Sequence, residues 1–532
     1  MRKRIPREVF RQSRVTTGPR QRAWLLLPMT RPMIDLTRYL SDCKFILVSN
    51  REPYEHVHGE RGAVEVKQPA GGLVSALDPT MRITHGTWVA WGSGNADADV
   101  SDESGRVMVP PGEESYTLHR VWLDEADVNG YYHGFANRAL WPLCHMLIQH
   151  FEFRTEYWER YRTVNLRFAH AVADEAERCG GRSMAWIQDY HFALAAEYLR
   201  AMRPSLFIHQ FWHIPFPPPD ILRLLPAGTH QDVLRGLLGN DLVEFQIDRY
   251  AVNFLDCVDK FIPEAQVDPV NLTVAFRDRV VQVGAFPISI DVERFEQMAS
   301  TPESEALVNT LRERYAKGSR QLGVCVDRID YTKGIPERIR ALETLWTDSP
   351  SMRERFTFIF VCTPSRTDLP AYHSLERDVT NSVIAINEKF GTPNWTPIVL
   401  INENVDADLL AAVYRAGDLC IVSSLQDGMN LVAKEFVACQ LDERGVLVLS
   451  RFTGSAEEID GAVLINPFNV DGFVEAIRIA LEMSPDERRR RMHRMRRHLY
   501  HSNIFDWLDS ILSRATEIMA PVKEPRQQPA GV

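Results

Sequence analysis

The sequence predicts an α/β protein built of two Rossmann-like domains facing a cleft, and three observations predict it. The chain has 532 residues, beyond the size at which a single hydrophobic core keeps growing, so two domains are expected. From Lys44 onward short β-rich runs alternate with longer amphipathic stretches, the pattern of βαβ units and parallel sheets. After the turn-like Phe286-Pro287 pair the alternation restarts, which marks a second sheet of similar design.

Composition supports a large buried core. Hydrophobic residues make up 45%, aromatic 10% and charged 25% of the chain, which is ordinary for a globular protein. No apolar run approaches the roughly 18 to 20 residues that a membrane-spanning helix requires. The formal net charge of -10 argues against a general nucleic-acid binder, whose phosphate contacts need a basic surface, so any anion site must be local. The eight cysteines stand singly, with no CxxC pair and no secretory signal, and are read as reduced thiols of a cytoplasmic protein.

Residues 1–40 are strongly basic and are expected to be a disordered extension, or an upstream start with Met29 or Met33 as the true beginning; an amphipathic targeting peptide or electrostatic tether is the alternative. Residues 41–288 form the first domain, with strands expected at Phe45–Val48, Trp88–Trp91, Met184–Gln188, Leu206–Phe211 and Val243–Ile247 and a helix at Leu194–Met202. Residues 289–499 form the second, with buried strands expected at Leu322–Val326, Phe356–Val361, Ile398–Ile401, Leu419–Val422 and Val446–Leu449. Residues 500–522 are expected to be a helix packing back on the first domain, and residues 523–532 a disordered tail. Ligands of open α/β sheets bind at the carboxyl ends of the strands, so the loops there are where chemistry is sought.

The segment Ser424-Leu-Gln-Asp-Gly-Met-Asn-Leu-Val-Ala-Lys-Glu435 runs from a strand end through an Asp-Gly turn into a helix. The backbone N–H groups of Asn430, Leu431 and Val432 are then first-turn donors backed by the positive helix end, suited to a diphosphate. Asp427 and Glu435 can accept from sugar hydroxyls, although a cap and a surface residue explain their types equally well. In Val326-Asp-Arg-Ile-Asp-Tyr-Thr-Lys-Gly334, Arg328 and Lys333 place two cations in one strand-to-helix loop. They suit a departing diphosphate; the alternative is a solvated loop whose charges are paired by Asp327 and Asp330.

Ser49-Asn-Arg-Glu-Pro53 follows a strand, and Ala70-Gly-Gly-Leu73 precedes a helical stretch where paired glycines permit close approach to a phosphate. Trp186-Ile-Gln-Asp-Tyr-His191 and His209-Gln-Phe-Trp-His-Ile-Pro-Phe-Pro217 end strands with the mixture of rings and polar groups that suits carbohydrate. Each His can equally be a satisfied core histidine. His209, His213, Asp189 and His191 lack metal-ligand spacing, and no metal is expected. A dinucleotide fingerprint is absent, since Gly92 and Gly94 have no third glycine at the right spacing.

Together the DGMNLVAKE run, the R-x-D-Y-x-K-G run, the D-Y-H and H-I-P-F-P strand ends and the W-x-A/G-W segment resemble glycosyltransferase family 20, from about Lys44 to Trp507. The resemblance implies a GT-B fold and a retaining, metal-independent transfer of glucose from UDP-glucose, or another nucleotide-glucose, to glucose 6-phosphate, giving α,α-trehalose 6-phosphate and the nucleoside diphosphate. It implies that Arg51, Tyr132, Trp141 and Arg366 hold the acceptor, with Asp189 nearby. Gly72, Arg328 and Lys333 then fall at the donor diphosphate, Asp427 and His213 at the donor glucose, and Glu435 at the ribose. Catalysis is assigned to Arg328, Lys333, Asp189 and His213.

Two departures bear on specificity. Gln188 stands where the family commonly has His, and Gln426 where Arg commonly precedes the Asp-Gly. The Arg-Glu-Pro-Tyr-Glu start and the Thr-Trp-Val-Ala-Trp segment are also similar to glucosylglycerol-phosphate synthases, a sister group, whereas Gly71-Gly72 and Ser365-Arg366 keep the other form. A silent sugar-phosphate-sensing subunit of the same fold is the rival from another class. No cofactor is expected, the partners are the small-molecule substrates, with a homo-oligomer left open, and a separate phosphatase is expected downstream because no second catalytic domain fits within the chain.

Overall fold

The computed structural model describes Tyr39 and residues 43–59, 62–68, 72–318, 320–366 and 369–520. The expectations for the basic extension 1–40, Tyr39 apart, and for the tail 523–532 lie outside the described residues. Among the described residues no helix is long and apolar enough to cross a membrane.

Two sheets organise the chain. The first contains β1 (Lys44–Arg51), β4 (Thr87–Trp91), β5 (Arg106–Val109), β6 (Tyr116–Val121), β7 (Ser183–Gln188), β8 (Phe207–Trp212), β9 (Leu242–Phe245), β10 (Ala265–Asp268), β11 (Thr273–Phe276) and β12 (Arg279–Ala285). Their spatial order is β10-β11-β12-β9-β8-β7-β1-β4-β6-β5, and β2 (Glu55–His58) with β3 (Val64–Lys67) forms a separate antiparallel hairpin. The stretch β6-β4-β1-β7-β8-β9 is parallel and reads 3-2-1-4-5-6 in order of appearance. The second sheet repeats that order: β13 (Gln321–Arg328), β14 (Phe356–Thr363), β15 (Ile398–Ile401), β16 (Leu419–Val422), β17 (Val446–Ser450) and β18 (Val463–Ile465) lie as β15-β14-β13-β16-β17-β18, all parallel.

The central strands form where β-branched and aromatic residues run together, and they are buried on both faces. Phe45–Val48 and Phe356–Val361 are at most 1% exposed, as expected where helices cover both sides of a parallel sheet. In both sheets the order reverses beside the first strand, between β1 and β7 and between β13 and β16. A crevice opens at such a switch point, and ligands bind there. The strand pattern missed β2, β3, β5, β10, β11, β12 and β18, which are short or partly exposed, and also β6, which is mostly buried between β4 and β5. Val243–Ile247 is corrected to Leu242–Phe245, because Gln246 leaves the ladder to bond a loop peptide through its side chain.

The helix Ile504–Met519 lies against the first sheet. Trp507 packs on Trp186 and Phe211, with ring centroids 5.6 and 5.3 Å apart, and its Nε1 donates to the Phe286 carbonyl at 3.1 Å. A capping box formed by Asn503 and Asp506 fixes where this helix begins.

Candidate active site

The first sheet contributes the ends of β1 and β7 and a π-helical segment, Val128–Leu140, continuing into Trp141–Cys144. Arg51 is exposed at the last position of β1, while the turn that carries it is anchored by buried bonds: Tyr131 Oη donates to Asn50 Oδ1 at 2.8 Å, and Glu52 accepts from Arg120 Nε at 2.7 Å. Insertion of a wide turn in a helix is frequent at functional sites. Here the segment buries Tyr131 and Tyr132 in succession and delivers Tyr132 to Arg51, whose Nη2 donates to its oxygen at 3.4 Å. Tyr132 also stacks on His191, at 5.9 Å between centroids and 17° between planes.

Arg366 follows β14 and completes this nest. Its guanidinium carbon lies 4.0 Å from the Trp141 ring centroid, and its Nη1 donates to Asp330 Oδ2 at 3.0 Å and to Tyr372 Oη at 2.5 Å. Nη2 reaches Tyr190 Oη at 3.4 Å. Burial alone would raise the Tyr132 phenol, but Arg366, Arg51 and Arg328 overcome it and bring the group down to about 8. A buried phenol held that low records a strongly positive local potential. The buried donors Trp141 Nε1 and Arg366 Nε have no protein partner. Such a cluster of cations and free donors suits an anionic ligand.

Asp189 lies just past β7 with φ 70° and ψ 179°, a conformation that costs a non-glycine residue about 1–3 kcal/mol and is found at ligand sites. Its Oδ1 accepts the His213 N–H at 3.2 Å. Burial raises its carboxyl to about 7, against the lowering effect of the Tyr190, His213 and Ile214 amides and of Arg366.

The second sheet brings the cationic loop after β13. Arg328 is exposed, with its guanidinium carbon 6.0 Å from the same Trp141 ring. Lys333 Nζ donates to Asp427 Oδ2 at 2.6 Å. Burial favours the neutral Asp427 carboxyl, yet Lys333 and Asn430 hold it down at about 2. The alternative of a solvated surface loop fails here: Asp330 is buried on Arg366, and Asp327, also buried, pairs with Arg338 at 2.6 Å. Gly334 adopts φ +61°, and a Cβ there would meet the Ser423 carbonyl at 2.1 Å, so this loop can press against the one after β16 only with glycine.

After β16 the helix is Leu431–Cys439, and its N-cap is Asn430 rather than Asp427. Asn430 has φ 86°, and its Oδ1 accepts the Ala433 N–H at 3.2 Å. This corrects the expectation that Asn430 lies in the first turn; Leu431 and Val432 occupy the first helical positions. Glu435 Oε2 accepts from Tyr414 Oη at 2.7 Å, and burial raises its carboxyl. Gly428 lies against the first sheet so closely that a Cβ would sit 2.0 Å from the His213 carbonyl.

The structure therefore gathers Arg51, Tyr132, Trp141, Asp189, Arg328 and Arg366 in one cluster, and Lys333, Asp427 and Asn430 in a second, bonded cluster. Gly72 opens the helix Gly72–Thr84. Both ring nitrogens of His213 are engaged, Nε2 with Gln188 Oε1 at 2.8 Å and Nδ1 with Gln246 Nε2 at 3.2 Å. Burial holds that imidazole down at about 3, so it is neutral. His209 is a core histidine, stacked on Trp186 and bonded to Glu244. No grouping of His, Cys, Asp or Glu fit for a metal occurs among the described residues.

Sequence reasoning gave no individual role to Tyr190 or His191, which it took only as part of a carbohydrate-suited strand end, and none to Tyr372, Gln246 or Lys434; it took Asp330 only as a surface partner. Tyr190 and His191 stood inside the D-Y-H strand end and Lys434 inside the DGMNLVAKE run, so a signal existed for these three. Tyr372 and Gln246 carried none.

Residues 43–517 match the sequence profile of glycosyltransferase family 20. The trehalose-6-phosphate synthase of Mycolicibacterium gilvum is 39% identical over 481 residues, covering 88% of this chain and 94% of that protein. That of Mycobacterium leprae is 37% identical over 497 residues, covering 92% and 97%. Among solved structures, one from E. coli bound with UDP-2-fluoro glucose superposes with a TM-score of 0.78 at 30% identity, covering 89% of this chain and 99% of that one. An α,α-trehalose-phosphate synthase from Burkholderia xenovorans in complex with glucose-6-phosphate gives 0.77 at 32% identity, with 89% and 99% covered. By the profile match over residues 43–517 and these relatives, and in keeping with its two sheets of 3-2-1-4-5-6 order, the chain belongs to glycosyltransferase family 20.

Proposed function

We infer that the chain is a UDP-forming α,α-trehalose-phosphate synthase, a retaining glycosyltransferase that moves glucose from UDP-glucose to glucose 6-phosphate. Relatives of that activity match nearly the whole chain, and similar structures hold a donor analogue in one case and glucose 6-phosphate in another. The sister activity on glycerol phosphate and the silent-subunit reading have no such support. The observation that carries the chemistry is Trp141, flanked by Arg366 at 4.0 Å and Arg328 at 6.0 Å. One ring thus serves as the shared wall of a cationic acceptor pocket and the loop that faces the leaving group.

In this reading Arg51 and Arg366 clamp the acceptor phosphate, with Tyr132, Trp141 and Asp189 holding the sugar. Gly72, Arg328, Lys333 and the first-turn amides of Leu431 and Val432 take the donor diphosphate. Asp427 and His213 adjoin the donor glucose, Asn430 caps the helix, and Glu435 takes the ribose. The bond from the anomeric carbon to the diphosphate oxygen breaks while that to the acceptor hydroxyl oxygen forms on the same face. The hydroxyl proton passes to the departing diphosphate oxygen. Arg328 and Lys333 act where negative charge develops, the position at which a preorganised donor has most effect. No protein nucleophile is needed.

Eight unpaired cysteines support a reducing, cytoplasmic setting, and a phosphate-ester product calls for a separate phosphomonoester hydrolase. The test is incubation of purified protein with UDP-glucose and glucose 6-phosphate, with UDP release and product mass followed together. Binding of both substrates without UDP release would refute the enzyme reading, and a glucosylglycerol phosphate dominating in acceptor competition would refute the acceptor.

A further inference from the structure

The peptide of Ile288, in the segment joining the two sheets, is held from both sides. Its N–H donates to Gln246 Oε1 at 2.9 Å, and its carbonyl accepts from Lys434 Nζ at 2.8 Å. Gln246, 1% exposed, follows β9 of the first sheet; Lys434, fully buried, lies in the helix Leu431–Cys439, next to Glu435. Its ammonium is matched by Glu458 at 2.7 Å. The neighbouring peptides are secured by other elements, Phe286 by the Phe245 carbonyl at 2.8 Å and by Trp507, and Ile290 by the Ile504 N–H at 3.0 Å.

Gln246 has a second task. A backbone N–H can only donate, so the Ile288 bond fixes which end of the amide is oxygen. The NH₂ end then faces His213 Nδ1 at 3.2 Å and must donate to it. Nδ1 is therefore the acceptor nitrogen, and in the neutral ring the hydrogen sits on Nε2, which meets Gln188 Oε1 at 2.8 Å. Two buried glutamines thus present opposite ends to one imidazole, and the pattern is set by a main-chain bond in the inter-sheet segment.

We propose that Gln246 is a positioning residue that fixes the tautomer and ring orientation of His213 and, through the Ile288 peptide, ties that ring to Lys434 on the helix that carries Glu435. Either the two sheets stand in the register that satisfies Ile288 on both sides, or the His213 ring loses its donor. The contact of Gly428 with the His213 carbonyl, where no Cβ fits, requires the same register from the opposite direction. The inference rests on the reading of this cleft as the glucosyl-transfer site.

The experiment uses the full chain labelled with ¹⁵N and ¹³C at histidine, with His213 assigned by comparison with His213→Asn. Long-range ¹H–¹⁵N spectra are expected to show His213 as the neutral Nε2–H tautomer; an Nδ1–H ring in the wild type overturns the proposal. Gln246→Glu keeps an acceptor for the Ile288 N–H but cannot donate to Nδ1. It is expected to move the hydrogen to Nδ1 or add one there, and to lower kcat about 10- to 100-fold, the scale of a small misplacement near the reacting atoms. KM for glucose 6-phosphate should stay within about 2-fold, because the variant touches none of the residues assigned to the acceptor phosphate. A changed tautomer with unchanged kcat, or an unchanged tautomer, overturns the proposal. If Gln246→Glu does not fold, the wild-type tautomer alone decides. Failure of the functional reading shows separately, as absence of wild-type turnover in the same assay.

Discussion

Removing Arg366 separates what that side chain does for acceptor binding from what it does for the fold. Its guanidinium lies 3.0 Å from Asp330 Oδ2, with side-chain exposures of 5% and 0%. Arg366→Ala strands a buried carboxylate, which costs about 3–5 kcal/mol when one partner of such a pair is removed. It also removes the cation stacked at 4.0 Å on Trp141, and with it charge-assisted bonds to the acceptor phosphate worth about 1.5–3 kcal/mol each. The single variant should therefore lose thermal stability and raise KM for glucose 6-phosphate by about 10- to 100-fold or more, while donor affinity changes little. Adding Asp330→Asn removes the stranded charge and leaves the acceptor pocket one cation short. Thermal unfolding of the wild type, both singles and the double, with acceptor and donor titrations on each, forms a cycle. The double should recover most of the stability and none of the acceptor affinity. If acceptor KM recovers along with stability, or never rose, Arg366 is a structural partner of Asp330 and the clamp assignment is wrong.

Three further outcomes are expected. Arg328→Ala should lower kcat by about 10²-fold through lost stabilisation of the leaving diphosphate; an effect confined to acceptor KM contradicts that role. The Tyr132 phenol, brought down to about 8 by Arg366, Arg51 and Arg328 despite its burial, becomes an anion as pH rises through that value and repels a phosphate dianion, so KM for glucose 6-phosphate should climb above pH 8. Tyr132→Phe should remove that climb and one low phenolate step in the ultraviolet titration; an identical pH profile in the variant refutes the assignment. Asp427, held at about 2 by Lys333 and Asn430 against a usual 3.8, has a folded value below its unfolded one. Its contribution to stability is present above pH 3.8 and is lost as pH falls toward 2, so Asp427→Asn should be less stable than wild type at neutral pH, and the gap should close across that acid window in denaturant melts.

The sequence by itself determined the elements whose signal is local. Leu419–Val422 and Ile398–Ile401 are strands at the residues the pattern named, because short, unbroken, β-branched-rich apolar runs between helical stretches suit strands covered on both faces. Strand-end motifs pointed to Arg328, Lys333 and Asp427 because loops at carboxyl strand ends are where an α/β sheet opens, whereas Arg51 and Asp189 were named through the family resemblance. Only the tertiary structure decided what those residues meet. Asp330 sits thirty-six residues from Arg366 and Gln246 thirty-three from His213, and no periodicity encodes such partners. Asn430, in a left-handed conformation, caps the helix in place of Asp427, whose carboxylate is taken instead by Lys333. Partners of this kind follow from which strands become neighbours and from the order in which the two sheets reverse, and that order is set by the packing of the whole chain rather than by any segment of it.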